Sequence, residues 1–133
     1  MARELKMTDQ NKIIVFDKLT GTRLEIYYST ITSTDRIKYK SEILNVLTKS
    51  HDLEESINLQ LIWAEKKITG FRKGDFTLDG KQISSNSEDV DYYQGWFAVL
   101  KETATDILLS IIDTILGEPS YVVRDNPLPF EKS

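Results

Sequence analysis

The sequence predicts a single domain of the α+β class that is mainly helical. Near the amino terminus, two segments rich in β-branched and aromatic residues flank a short loop, which is typical of a β-hairpin. Further along, apolar residues recur at steps of three and four, which indicates helices, and an Asp-Gly pair separates two short strand-like segments. At 133 residues the chain has the length of one domain, and we expect loosely held ends at residues 1–11 and 118–133.

The composition disfavours several classes of function. The chain has no cysteine, which excludes disulfides, thiolate metal sites and a cysteine nucleophile. No apolar run approaches the ~20 residues of a membrane span, and the amino terminus lacks the apolar stretch of a signal peptide. A net charge of −4 disfavours binding to a phosphate backbone. We therefore expect a cytoplasmic protein with no membrane partner, no nucleic-acid partner, no metal and no cofactor.

The first predicted element is a hairpin formed by residues 12–17 and 23–28. The loop between them contains Gly21, which favours a longer turn that can include a bulge. Alternation along the second strand places three apolar side chains on one face, namely Leu24, Ile26 and Tyr28. Because a lone hairpin is marginally stable in water, we expect this face to pack on the helices that follow.

Two helices are predicted next. Ser33 or Thr34 caps the first helix, which runs to about Lys49. The apolar residues Ile37, Ile43, Leu44 and Leu47 recur along it at helical spacing. Asp52 caps the second helix, and Gly70 is placed to end it in the left-handed conformation. The stripe of this second helix comprises Leu53, Ile57, Leu61, Ala64 and Ile68.

A short hairpin and a long helix complete the predicted fold. Asp79 and Gly80 suit a two-residue turn that needs positive φ at both positions. After a polar loop, a helix is predicted over residues 92–116 and is closed by Gly117. An internal cap at residues 105–106 could instead break this helix in two. The predicted core stripe comprises Phe97, Leu100, Ala104, Ile107, Leu108, Ile111 and Ile115.

The last helix carries a second apolar stripe nearly opposite the first, formed by Leu109, Ile112 and Leu116. A helix at the surface of a monomer needs only one such stripe. A contiguous exposed apolar patch usually marks an interface, so the stripe is a candidate contact for a partner or for a second copy of the chain. The alternative is that the amino-terminal hairpin or the carboxyl-terminal tail covers it. Both interpretations stay open.

Titratable residues form no recognisable catalytic or metal-binding pattern. His51, the only histidine, lies between the two middle helices, where an exposed loop residue is favoured over a general base or a metal ligand. The middle loops are acidic, with Asp75, Asp79, Glu88, Asp89 and Asp91. Their spacing does not match a calcium-binding loop, which favours solvated turn residues.

One basic cluster with interleaved aromatic residues follows the second helix. It comprises Lys66, Lys67, Arg72 and Lys73. Trp63 precedes these cations, and Phe71 lies between Lys67 and Arg72. A nucleic-acid surface would need the aromatic side chains on a basic groove. We favour a structural role, since cations stabilise a helix carboxyl terminus and Phe71 can close over the core. If the cluster has a ligand, the acidity of the chain favours a protein.

Three short segments carry a family resemblance. The first is T-S-T-D-R-I-K-Y at residues 32–39, after the strand at 23–28. The second combines I-T-G-F at 68–71 with F-T-L-D-G-K at 76–81. The third combines D-Y at 91–92, Trp96 and A-T-D-I-L at 104–108. In this order they resemble small proteins of the tail-gene region of tailed bacteriophages and prophages, above all tail assembly chaperones. The resemblance spans residues 12–117 and concerns structural motifs, so it transfers no catalytic residue.

The resemblance implies a non-enzymatic cytoplasmic helper of tail morphogenesis. Such a protein would coat the helical tape-measure protein while tail-tube subunits polymerise around it. The candidate partner-binding residues in this chain are Leu109, Ile112, Leu116, Trp63 and Phe71. Self-association into a homo-oligomer is a further expectation. The alternatives are a permanent tail or head-tail connector component, a small regulatory or nucleic-acid-binding module and, last, a hydrolase built around His51.

Overall fold

Four helices and two antiparallel sheets make up the described part of the chain, which in this computed structural model comprises residues 10–49 and 52–117. The elements are β1 (Asn11–Asp17), β2 (Thr22–Tyr28), α1 (Ser33–Lys49), α2 (Leu53–Lys67), β3 (Ile68–Phe71), β4 (Thr77–Leu78), β5 (Lys81–Gln82), α3 (Trp96–Thr103), α4 (Thr105–Ile112) and a π-helical turn (Asp113–Gly117). The mixed α+β class is confirmed. Of the ends predicted to be loosely held, residues 1–9 and 118–133 lie outside the described residues, whereas Asn11 begins β1.

The larger sheet has the strand order β1-β2-β3. The predicted amino-terminal hairpin is confirmed, with Asp17 paired to Thr22 across the turn. Gly21 adopts a φ of 71° and donates its backbone N–H to the carbonyl of Asp17 over 2.8 Å. As predicted, Leu24 and Ile26 of β2 point into the core, where they are buried.

The third strand was not predicted, and it corrects the assignment of Gly70. Helix α2 ends at Lys67, and the chain continues directly into β3, whose Phe71 pairs with Ile26. Gly70 therefore lies in a strand and not in a left-handed helix cap. Periodicity could not separate the two possibilities, because Ile68 is buried whether it closes a helix or opens a strand.

Helix α1 begins with a capping box that differs from the predicted cap at Ser33 or Thr34. The backbone N–H of Asp35 donates to Thr32 Oγ1 over 3.1 Å, and the backbone N–H of Thr32 donates to Asp35 Oδ2 over 2.9 Å. The reciprocal pair requires the hydroxyl three residues before the carboxylate, which only Thr32 provides. Lys67 Nζ, from the end of α2, lies 2.8 Å from the same Asp35 oxygen and ties the two helices together.

Two further local predictions are confirmed. Asp52 caps α2, since its Oδ1 accepts the backbone N–H of Glu54 over 3.0 Å. The turn between β4 and β5 has a φ of 51° at Asp79 and 79° at Gly80, as a two-residue hairpin of this type requires.

The single long helix predicted over residues 92–116 is wrong. Residues 92–95 are not helical, α3 starts at Trp96, and the helix breaks at Ala104, which has a φ of −133° and a ψ of 38°. The break falls beside the internal cap suggested for residues 105–106, although Thr105 makes no cap: its hydroxyl donates to the carbonyl of Lys101 over 2.6 Å. The change of direction lets α4 pack against both α2 and β1.

The core lies between the inner face of the larger sheet and helices α2 and α4. It consists of one cluster of buried side chains drawn from most of the elements: Leu24, Ile26, Tyr39, Leu61, Trp63, Ala64, Ile68, Phe71, Ile83, Leu100, Ala104, Ile107, Leu108, Ile111, Ile112, Ile115 and Leu116. Continuity of this cluster supports the expectation of a single folding unit across the described residues.

Neutralising Asp35 should reveal a pH-dependent part of the stability. Burial raises the pKa of Asp35, but hydrogen bonds from Lys67 and Thr32 outweigh it and hold that pKa below its ordinary value of 3.8. The carboxylate therefore stabilises the fold above its unfolded pKa, and this contribution is lost as the pH falls through the lower folded-state pKa. Asp35→Asn should cost about 1–2 kcal/mol at pH 7 by urea unfolding. The difference in unfolding free energy between Asp35→Asn and the parent should shrink below about pH 4.

The matched control is Asp79→Asn, which removes the same charge from an exposed turn position that tolerates asparagine. A D79N variant as destabilised as D35N, or a D35N penalty that stays constant down to pH 2, would contradict this assignment.

Gly70→Ala should destabilise the chain through one contact. A Cβ at this position would lie 2.7 Å from Ser85 Oγ, which accepts the backbone N–H of Phe71 over 3.0 Å. We expect a cost of about 1–3 kcal/mol in denaturant unfolding, since overpacking of this kind typically costs that much. In a Ser85→Ala background the same substitution should cost clearly less, because the clashing oxygen is gone. Equal costs in both backgrounds would contradict this account.

Candidate functional site

Four of the five predicted partner-binding residues are buried in the core. Ile112 and Leu116 have no exposed surface, Trp63 is 2% exposed and Phe71 is 4% exposed. Leu109 is half-buried and packs against the same core. These side chains offer no exposed apolar patch, which corrects the prediction of a partner surface at this stripe.

The second stripe is buried because α4 has neighbours on more than one side. Helix α4 packs against α2 and against β1, and the π-helical turn that extends it packs against α1. Ile107 and Ile111 of the first stripe and Ile112 of the second are therefore all core residues. The α4 residues that line a groove with β1 are Asp106, Ile107 and Ser110, on the side of the first stripe, so these contacts do not place the amino-terminal hairpin over the second stripe.

The two aromatic candidates have specific structural contacts. The Trp63 indole N–H donates to Glu42 Oε1 over 2.9 Å, and its ring meets Tyr39 edge to face at 5.6 Å between centroids. Phe71 packs edge to face against Phe76 at 4.8 Å and against Trp96 at 5.7 Å. Trp63 thus joins α1 to α2, and the Phe71 group joins the sheet to α3.

The basic cluster around these aromatics is largely neutralised within the fold. Lys67 pairs with Asp35 over 2.8 Å, Arg72 Nη2 with Asp75 over 3.0 Å, and Lys73 with Asp91 over 3.9 Å. Lys66 lies 5.0 Å over the Trp63 ring. Such partners leave little free positive charge, so the cluster makes a poor nucleic-acid groove.

The acidic loop residues hold the loops together. Asp75 Oδ2 accepts the backbone N–H of Glu25 over 2.7 Å, Asp89 accepts the Ser84 hydroxyl over 2.6 Å, and Asp91 accepts Gln82 Nε2 over 2.8 Å. No group of three or more potential ligand residues is placed to hold a metal ion in residues 10–49 and 52–117. His51 lies outside the residues that the structure describes.

A wide polar groove of about 930 Å³ lies over the outer face of the sheet, beneath the loop at residues 84–89. Its charged side chains include Lys12 and Glu25, whose Nζ and Oε1 atoms are 3.8 Å apart. The Tyr27 hydroxyl donates to Glu25 over 2.8 Å, and this hydrogen bond raises the pKa of Tyr27 above its ordinary value. The tyrosine stays protonated at neutral pH, and these contacts present no activated nucleophile to a ligand.

Helix α1 carries the exposed apolar surface that the predicted stripe was meant to provide. Ile37, Leu44 and Leu47 are 67%, 62% and 49% exposed. They lie along one side of the helix, opposite the buried Tyr39 and Val46, and we call them the α1 outer face. The spacing of these three residues, together with Ile43, predicted the helix but did not show which of them face the core.

The sequence contained a second stripe that fits the structure. Tyr39, Ile43 and Val46 are also spaced at four and three residues, and they are the apolar residues of α1 that contact the interior. Helical spacing alone cannot choose between the two stripes. The choice depends on Trp63 of α2, whose ring packs on Tyr39.

The charges around the α1 outer face are unevenly distributed. Both acidic residues of α1 are engaged internally, Asp35 with Lys67 and Glu42 with Trp63. Arg36 and Lys40 flank the apolar row, and neither forms an ion pair with an acidic side chain of the described residues. A chain of net charge −4 thus presents a basic, apolar helix face.

A smaller exposed apolar row lies on β1. Ile14 is 50% exposed and Phe16 is 59% exposed, on the side of the strand that faces away from the core. We call these two residues the β1 outer row. This row was not predicted, because four consecutive apolar residues at 13–16 do not show which side chains face outward.

Comparisons of the chain with protein-family models, with curated proteins and with solved structures found no match. Among the described residues, no helix has the length and apolar character to cross a membrane.

Matched truncations should separate the buried stripe from the exposed one. Ile112→Ala removes a side chain with no exposed surface and should cost about 2–5 kcal/mol in denaturant unfolding, since a cavity remains. Ile37→Ala removes the same atoms from an exposed position and should change the stability by less than about 0.5 kcal/mol. The reverse order would contradict the assignment of these two faces.

Proposed function

We propose that this chain is a non-enzymatic phage or prophage morphogenesis protein, similar to tail assembly chaperones, that binds a helical segment of a tape-measure-type protein. The observation that supports this proposal best is the α1 outer face, where Ile37, Leu44 and Leu47 form an exposed apolar row on one helix. Packing of an amphipathic helix against an apolar surface is a common mode of peptide recognition. In this proposal the α1 outer face is the partner-binding surface, in place of the α4 stripe predicted from the sequence.

The size of the α1 outer face favours weak contacts that are repeated. Full burial of an aliphatic side chain contributes about 1.5–3 kcal/mol, and these three are already partly covered, so each adds about 1–2 kcal/mol. Their sum of a few kcal/mol does not exceed the ~4–15 kcal/mol that association costs. One copy would therefore bind weakly, whereas many copies along one long partner gain from multivalency. Reversible coating of a long helical protein has this energetic profile.

The charges near this face indicate the chemistry of the helix that fits it. Arg36 and Lys40 lie beside the apolar row without acidic partners in the described residues. A partner helix with an apolar stripe flanked by Asp or Glu would pair these charges and would be steered towards the face. The net negative charge of the rest of the chain would keep the assembly soluble.

The test begins with the neighbouring reading frames, one of which should encode a long helical protein. Coexpression with that protein is followed by copurification and by measurement of the Kd for its purified segments. Leu44→Lys should lower the affinity at least about tenfold, because it places a charge in the centre of the apolar row. Val90→Lys is the matched control, since it introduces the same charge at an exposed aliphatic residue outside both α1 and β1. Unchanged capture by L44K, or equal loss in both variants, would contradict the proposed site.

Mass spectrometry of purified virions separates the chaperone from a permanent tail component. A chaperone should be missing from finished particles, whereas a tail or head-tail connector component should be present in stoichiometric amounts.

A further inference from the structure

One edge of strand β1 pairs with no other strand of the described residues. Within the described residues, β1 pairs with β2 alone, over all seven of its residues, and it forms one edge of the three-stranded sheet. A long edge strand with apolar side chains readily pairs with another strand, and proteins usually protect such an edge with charges or prolines. Between the ends of β1, Lys12 is the only charged residue, and the strand has no proline.

We infer that β1 pairs with β1 of a second copy of the chain, in antiparallel orientation, about a two-fold axis at Ile14. The pairing would join the two three-stranded sheets into one sheet of six strands. Such a contact is isologous, because the same surface serves both copies. This inference does not depend on the proposed function, which uses a different helix face.

The side chains of β1 suit this symmetric register. With the axis at Ile14, the Ile14 side chains of the two copies face each other. On the same side of the sheet, Lys12 lies opposite Phe16, where a cation can stack on an aromatic ring. On the inner side, Ile13 lies opposite Val15, which extends the apolar face of each sheet. These pairs are complementary, and they cover residues 12–16 of β1.

The neighbouring symmetric registers fit less well. Moving the axis to Val15 places Lys12 opposite Lys18 of the other copy, and like charges directly opposite destabilise a pair. Moving the axis to Ile13 leaves Phe16 opposite a residue outside the strand. Side-chain complementarity therefore selects Ile14, which is also the central residue of β1.

A groove lies beside the carboxyl-terminal half of β1. It has a volume of about 390 Å³ and lies between residues 15–19 and helix α4, lined there by Asp106, Ile107 and Ser110. In the inferred dimer, the first half of the partner strand would run beside this groove. Because the axis lies at Ile14, the grooves of the two copies fall on opposite sides of it. Each groove is centred about three residues from Ile14, so at ~3.3 Å per residue the two grooves lie roughly 20 Å apart. The two α4 helices therefore do not compete for the same space.

The charge at the edge also favours a second copy of the chain over an unrelated strand. The Lys12 side chain is 66% exposed, and its Nζ lies 3.8 Å from Glu25 of the neighbouring strand β2, so it must turn away from this long contact to cross the open edge. In the symmetric pair, Lys12 of each copy lies opposite Phe16 of the other, so this contact forms twice. An unrelated strand would have to supply both the ring and a cation at matching positions.

The test is the oligomeric state of the full chain, measured by sedimentation velocity and light scattering over a dilution series. The parent should show a concentration-dependent dimer. Ile14→Lys should raise the dimer Kd more than about tenfold, because two ammonium groups would face each other at the axis. Leu44→Lys, which alters the α1 outer face, should leave the Kd unchanged. Far-UV circular dichroism checks that both variants keep the fold.

Cysteine trapping tests the register independently. The chain has no cysteine, so Ile14→Cys introduces a single thiol at the proposed axis. Directly opposite residues of paired strands have Cβ atoms about 4.5–5.5 Å apart, close to disulfide range. Mild oxidation should therefore give a covalent dimer of I14C, whereas L44C should give little under the same conditions.

Three results would overturn the inference. The first is a parent chain that stays monomeric at every concentration, and the second is a dimer that I14K leaves intact and L44K dissociates. The third is a monomer whose β1 amides are protected from hydrogen exchange on both edges, which would mean that another segment of the same chain covers the strand. If I14K dissociates the dimer but L44K still captures a tape-measure segment, the dimer stands and the proposed function fails.

Discussion

Burial of α4 on two sides is the constraint on which most of the structure depends. The helix has only eight residues, yet Ile107, Leu108, Ile111 and Ile112 are all buried. Burial of this kind needs neighbours in more than one direction, and α2 and β1 supply them. The break at Ala104 follows from the same requirement, since a straight continuation of α3 would have a different direction. An apolar stripe that resembled an interface in the sequence is thus a second core face.

Local chemistry made part of the fold predictable. The turn at Asp79 and Gly80, the cap at Asp52 and the amino-terminal hairpin each depend on residues close together in sequence, and all three are confirmed. The remaining elements depend on distant contacts. Strand β3 exists because Phe71 can pair with Ile26, which is 45 positions earlier in the chain. No window around Gly70 contains that information.

The candidate site was less predictable than the fold, for a physical reason. Residues such as Leu44 and Ile112 have similar hydrophobicity and lie on helices with similar spacing, but one is exposed and the other has no exposed surface. Contacts between helices, such as that of Trp63 with Tyr39, decide which stripe faces inward. The sequence shows each helix but not these contacts between them. The distribution of charge gave a better indication. The cations predicted to have structural roles, such as Lys67 and Arg72, have acidic partners.

The break at Ala104 also affects how the chain can change its length. In a continuous helix, each inserted residue rotates everything after it by about 100°, so an insertion near Trp96 would turn the buried face of α4 away from its neighbours. A helix that ends and restarts does not transmit that rotation in full. Trp96 and Phe97 of α3 pack near Phe71 while α4 keeps its own contacts. An insertion within α3 would therefore disturb the contacts of Leu100 and Trp96 more than those of α4.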